Sequence, residues 1–230
     1  PYPAFSLCCI TFFTIKSIKM KSQIFSLLIA ASAILAACNN NTESGKNESG
    51  TTSKDSSNTA ATTTSSDDAG LTQEKPSFAN VNPKTAASIN EVVSHYLHVK
   101  NALANDNGEE AASGGKALAA SLGKIDHAPL QGEQMKLYMD VSESLKEHGE
   151  HLASNANKID HQREHFVMMS EDVYDLVKGF GANQPLYVDH CPMANNDKGA
   201  DWLSEKKEIS NPYMGKKMPK CGTVEKIIKN

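Results

Sequence analysis

Three observations predict a mainly α protein, an antiparallel four-helix bundle followed by an irregular C-terminal segment with a short β-hairpin. Four stretches beyond residue 85 repeat apolar residues at helical spacing, the breaks between them are short, and two β-like runs flank a polar loop near the C-terminus. In the first stretch Ile89, Val92, Val93, Tyr96, Leu97 and Leu103 recur at steps of three and four. Asn105-Asp106-Asn107-Gly108 then supplies a turn. The second stretch, 109–123, is alanine-rich with Ala111, Leu118 and Leu122 on one side. Its central Gly114-Gly115 costs about 1 kcal/mol per glycine relative to alanine. The third, 133–154, carries Met135 and the seven-residue series Tyr138, Leu145, Leu152, which marks a bundle seam. After a polar break, the fourth runs over 158–180 with Ile159, Phe166, Met169, Val173, Val177 and Phe180 inward, and Gly181 is placed to stop it.

The last 50 or so residues lack helical period. Leu186-Tyr187-Val188 and 223–228 read as short strands, separated by a loop that holds the one tryptophan, Trp202, and Asn211-Pro212-Tyr213. If the two runs pair antiparallel, Cys191 just after the first and Cys221 just before the second come close together.

The N-terminal part is expected to lie outside the fold. Residues 1–19 have no recognisable element and read as translation upstream of a start at Met20. From there a short positive region at Lys21 leads into apolar residues 24–35, too short to span a bilayer. Leu35-Ala36-Ala37-Cys38 follows, which resembles the lipobox of bacterial lipoproteins. Residues 20–37 are therefore expected to be a lipoprotein signal peptide and Cys38 the lipidated residue, its acyl chains giving firm anchorage on the periplasmic side of the envelope, at the outer membrane rather than the inner. Residues 39–70 hold no Val, Ile, Leu, Met, Phe, Trp or Tyr, so they cannot offset ordering entropy by burial. The stretch 38–85 is expected to be a disordered tether with a reach of about 30–40 Å, and 86–230 the folded domain.

Net charge is −4, from 23 Lys+Arg against 27 Asp+Glu, which argues against a nucleic-acid binder held by phosphate neutralisation. No paired carboxylates in a glycosidase pattern, no Gly-rich phosphate loop and no Cys-x-x-Cys motif occur, so an enzyme is not expected.

Sulfur and imidazole remain as the chemistry. With Cys8 and Cys9 upstream and Cys38 lipidated, only Cys191 and Cys221 stay in the folded part. In an oxidising compartment they invite a disulfide. The competing reading uses their neighbours: Met193 two residues after Cys191 and Met218 three before Cys221 complete a soft donor set suited to Cu(I), with Met214 and His190 close by in sequence. A His190–Cys191 dyad is disfavoured, because adjacent residues of an extended segment point to opposite faces. On the fourth helix His161, His165 and Met168 form a stripe at i, i+4 and i+7, and His148 and His151 sit near the corresponding edge of the third. Histidines at i, i+4 can chelate a metal, or simply be solvated.

One resemblance covers most of 86–228. Its most specific part is the block His190-Cys191-Pro192-Met193-Ala194-Asn195-Asn196, Lys198-Gly199-Ala200, Trp202-Leu203-Ser204, Asn211-Pro212-Tyr213, Gly215 and Met218 to Gly222. Gln162-Arg163-Glu164-His165-Phe166 with Ser170 adds to it. These runs resemble a bacterial periplasmic domain family of unassigned function, found alone in lipoproteins and at the C-terminal end of heavy-metal efflux adaptors. The resemblance implies metal handling, copper first, with Cys191, Met193, His165, Met218 and Cys221 as the carrying positions and efflux components as partners. This chain lacks the hairpin and β-barrel parts of a pump adaptor. Two readings are carried forward: a lipid-anchored copper protein that sequesters or transfers the ion, and a disulfide-stapled interaction module that docks on an envelope partner.

Overall fold

Asn82 and Pro83 open the first long helix for a simple reason. The Asn82 side chain accepts the otherwise orphaned N–H of Lys84 at 2.9 Å, and proline in the first turn has no N–H to satisfy. In the computed structural model, which describes Asp68 and residues 70–230, that helix is α1 (Pro83–Ala104). It is followed by α2 (Gly108–Leu122), α3 (Glu133–Ser154) and α4 (Ile159–Phe180). The upstream stretch 1–19, the leader at 20–37, Cys38 and most of the tether lie outside the described residues. None of the described helices is long and apolar enough to cross a membrane.

The four helices match the sequence expectation closely, and α4 stops at Gly181 (φ 80°), whose N–H donates to Val177 O at 2.8 Å. The buried face of α1 is the predicted stripe, with Ile89, Val92, Tyr96 and Leu103 at 1% exposure or less. Helix α1 packs on α2, α2 on α3 and α3 on α4. The Gly114-Gly115 pair, which weakens α2 as an isolated helix, allows close approach in the fold. A Cβ on Gly114 would fall 2.8 Å from Val99 of α1, and one on Gly115 would fall 2.8 Å from the carbonyl oxygen of Gly149 on α3.

A four-stranded sheet combines β1 (Thr72–Glu74), which precedes α1, with three strands that follow α4, β2 (Leu186–Cys191), β3 (Ala200–Ser204) and β4 (Thr223–Ile228), in the order β1-β4-β2-β3. The expected antiparallel pairing is β2 with β4, in the register His190 opposite Thr223. Strand β3 replaces the expected loop around Trp202 and pairs antiparallel with β2, Asp189 opposite Trp202 and Cys191 opposite Ala200.

The folded part begins before residue 86, which corrects the tether boundary expected at 85. Strand β1 runs parallel to β4, and the backbone N–H groups of Ser77 and Phe78 donate to Lys178 O and Gly179 O at the end of α4. Phe78 then packs edge-on against Phe180, ring centroids 5.0 Å apart. This anchoring depends on main-chain bonds, on the single ring of Phe78, and on ion pairs such as Glu74 with Lys226 and Asp68 with Lys229. A scan for apolar runs has no signal for it.

One buried group on β2 is poorly matched to its surroundings. Asp189 is fully buried, neither carboxylate oxygen has a hydrogen-bond partner, and the indole Nε1–H of Trp202 opposite is likewise unpaired. Burial pushes the Asp189 carboxyl up to about 7; Lys100 pulls it down and Glu205 pushes it up by smaller amounts.

Packing and burial each set a measurable expectation. Gly149→Ala removes a weak helix former from α3 but drives a methyl to 2.7 Å from Gly115 O. The net effect is destabilisation by about 1–3 kcal/mol, measured by urea denaturation. For Asp189, a folded pKa above the unfolded one means stability that is full near pH 4 and lost as pH rises through about 7. The stability difference between wild type and Asp189→Asn therefore shifts toward the variant by about 3 kcal/mol between pH 4 and pH 8, then levels off, in thermal melts across that range.

Candidate metal centre

Helices α3 and α4 are joined by the short 155–158 connection, which brings the C-terminal turns of α3 beside the N-terminal turns of α4. His148 and His151 stand three residues apart on α3; His161 and His165 stand four apart on α4. Both spacings put their members on one helix face. The result is a cluster of four imidazoles centred on His165.

The His151 ring stacks on that of His165 with centroids 4.3 Å apart, and the His161 ring stands edge-on to His165 at 4.7 Å. His148 reaches the same residue from the buried side, Nδ1 to Nδ1 at 3.1 Å. Ligand atoms of His151, His161 and His165 lie within 4.8 Å of one another, with His151 exposed and the other two half-buried. Carboxylates flank the outer members: Glu164 Oε2 is within hydrogen-bond distance of His161 Nδ1 at 3.0 Å, and Glu147 Oε1 is 3.8 Å from His151 Nε2. Burial, reinforced by the neighbouring His151, His161 and His148, pushes His165 down to about 4. Its ring is therefore neutral at pH 7, the form that donates a lone pair to a metal.

The sulfur residues are arranged differently from the histidines. Cys191 and Cys221 converge as the β2–β4 pairing predicts, Sγ to Sγ at 3.3 Å, and both are free thiols. Cys191 is fully buried and Cys221 half-buried. The hydrogen bond to Cys191, with burial adding to it, raises the Cys221 pKa, which favours its thiol form.

Met193 and Met218 line a surface cavity of about 430 Å³ together with Met214, and neither cysteine is part of its lining. The four-sulfur set expected around Cys191 and Cys221 is thus divided between a buried thiol pair and a thioether-lined cavity. The two thiols follow the strand register, whereas Met193 and Met218 lie just outside the strands, where the turns redirect them. His190 is held by Asp201 across the β2–β3 pair, Nδ1 to Oδ1 at 2.6 Å, and is half-buried beside the fully buried Cys191. Met168 lies one turn beyond His165 on α4, 40% exposed.

Sequence reasoning placed His161 and His165 among the candidate ligands but kept His148 and His151 in the background. Their i, i+3 spacing on the third helix was the available signal. What it could not supply is the rotation of α3 against α4 that makes the two pairs face each other.

The thiol pair yields a direct expectation. Treatment with a small disulfide oxidant such as oxidised glutathione joins Cys191 to Cys221, the two thiol hydrogens passing to the reduced oxidant. Closing a loop with a sequence separation of 30 residues raises stability by about 3–4 kcal/mol. Thiol titration under denaturing conditions, beside a urea melt of the same sample, checks both the loss of two thiols and the gain.

The comparisons with known proteins bear on the helical part. No curated protein and no solved structure matches the chain. Residues 92–185, from within α1 to the residue before β2, match the model of a family described as "Protein of unknown function (DUF3347)", and the matched span contains all four clustered histidines. Over those residues the chain is similar to that family.

Proposed function

We propose that this chain is a non-enzymatic metal-binding protein of the bacterial envelope, which sequesters copper or passes it on. The observation that carries the reading is the convergence of His151, His161 and His165, with ligand atoms within 4.8 Å of one another and His148 behind them. Three imidazoles are a borderline donor set that suits first-row divalent ions, among which Cu²⁺ ranks highest in affinity. Glu164 and Glu147 beside the ring nitrogens supply the outer carboxylates that commonly orient ligating histidines. The thiol pair of Cys191 and Cys221 provides separate soft donors for Cu(I).

The four long helices are read here as an antiparallel bundle that presents this cluster at one end. The leader and Leu35-Ala36-Ala37-Cys38 place the protein, in this proposal, on the periplasmic side as a lipoprotein tethered through Cys38, at the outer membrane in preference to the inner. Components of heavy-metal efflux systems are the proposed recipients of the ion.

The second reading, a disulfide-stapled docking module, is favoured by one observation: the 3.3 Å separation of the two thiols, from which a modest approach makes a bond. Thiol status in protein taken from the envelope separates the two, since bridged cysteines cannot ligate and free ones can.

The test of the primary reading is calorimetric titration of the full chain with Cu²⁺ and with Ni²⁺. Wild type binds one ion at the imidazoles. The double variant His151→Ala/His165→Ala loses at least about a hundredfold in affinity, or about 2.7 kcal/mol, with the helical circular dichroism unchanged. Equal affinity in wild type and variant removes the metal reading from this cluster.

A further inference from the structure

We propose that the cavity between α4 and the β2–β3 and 211–218 turns is a second ion site, in which the thioethers of Met193, Met214 and Met218 take a soft monovalent cation, Cu(I). The site extends the copper reading to the reduced ion, but its residues are separate from the imidazoles and from the thiols.

The first observation is the composition of the wall. Three methionines line one cavity of about 430 Å³, and Met193 leaves 45% of its surface in water. An apolar side chain left this exposed forgoes much of its burial energy, which is tolerable where the sulfur itself is used. Thioether sulfur is a soft neutral donor: it coordinates Cu(I) and Ag(I) and competes poorly for Zn²⁺ or Mg²⁺.

The second observation is how the three are held. Met193 is followed by Asn195, Asn196 and Asp197, three consecutive non-glycine residues at φ 54°, 56° and 61°. Left-handed backbone is unfavourable for L-residues, least so for Asn and Asp. Here it turns the chain back from β2 into β3, closed by Gly199 N–H to Ala194 O at 3.0 Å, and sets residues 193–197 along one wall. The opposite wall is fixed by Asn211, which is fully buried. Its Oδ1 accepts from the N–H groups of Tyr213 (2.8 Å) and Met214 (2.9 Å), and its Nδ2 donates to Cys221 O at 2.6 Å. Arg163 of α4 donates from Nε to Pro212 O at 2.9 Å and from Nη2 to Asp106 at 2.6 Å, which locks the same turn to the helices. Both methionine-bearing walls are thus set by internal bonds before any ion arrives.

The third is charge. Asp160, Glu164 and Asp197 share the lining with Arg163 and Lys217, an excess of one negative charge around neutral sulfur ligands. Glu164 also holds His161, so the thioether cavity and the imidazole cluster adjoin through one turn of α4. The imidazoles of α3 and α4 and the thioethers of the turns beside α4 then give Cu²⁺ and Cu(I) separate donors.

The experiment uses the full chain with ¹³C-labelled methionine methyl groups, its Cys191 and Cys221 first joined by oxidised glutathione so that they cannot take the probe, and Ag(I) as the redox-inert probe. The methyl signals of Met193, Met214 and Met218, assigned by single Met→Leu variants, are expected to shift together and saturate at one equivalent, while those of Met135, Met139 and Met169 stay in place. If the three stay unmoved, the proposal is overturned. A Met193→Leu/Met218→Leu variant should bind Ag(I) at least about tenfold more weakly and Ni²⁺ as well as wild type; unchanged Ag(I) affinity overturns the site. Methyl shifts without Ni²⁺ binding at the imidazoles would retain this site and remove the histidine reading, and Ni²⁺ binding without methyl shifts would do the reverse.

Discussion

The attachment of the sheet to the helices depends on a small group of buried hydroxyls. Tyr96 of α1 and Ser170 of α4 share a hydrogen bond of 2.9 Å, and Leu203 of β3 donates its backbone N–H to the same tyrosine oxygen at 3.0 Å. Tyr213, from the loop before β4, donates to the carbonyl of Asp201 and lies 3.3 Å from Ser170. One serine and two tyrosines thereby fix two helices, one strand and one turn with respect to each other. Both tyrosines are buried, so breaking any of these hydrogen bonds would strand a polar group away from water, and burial raises the pKa of both rings. The apolar parts of the same rings complete the joint: Tyr96 stacks on Phe166 at 5.2 Å, and Trp202 meets Tyr213 edge-on at 5.8 Å.

From that joint the two chemical regions follow. Phe166 belongs to the same helix as His165, so the residue that seats α4 against α1 also orients the adjacent imidazole outward toward α3. Tyr213 stands next to Met214 and is set by Asn211, so the bonds that close the sheet's long loop also define the cavity wall. Arg163 joins the two regions, with its guanidinium on Leu103 O, Pro212 O and Asp106. The fold places imidazole, thiol and thioether donors around one end of α4 and the strands beside it. The buried Lys100, paired with Glu205 at 2.8 Å, and the unpaired Asp189 show that this sheet–helix interface accepts charge at a cost an apolar joint would avoid.

The local elements could be read from the residues in order. The four helices, the stop at Gly181, and the two short β-like runs at Leu186 and Thr223 were legible, because each is written in adjacent residues as period, cap or turn. The nearness of Cys191 and Cys221 was legible for the same reason, as a consequence of strand register. Strand β1 was not, since Thr72-Gln73-Glu74 has no apolar pattern and is ordered only by β4 beside it. The glycine pair in α2 was misleading in isolation, because its meaning lies in the backbones of α1 and α3. It took the packed molecule to bring His148 and His151 against His161 and His165, and to put Met193 and Met218 in a cavity with Met214 and not with the thiols. One cause underlies each of these cases. Spacing along one chain segment fixes which side chains share a face, but the rotation of one packed element against another fixes which faces meet.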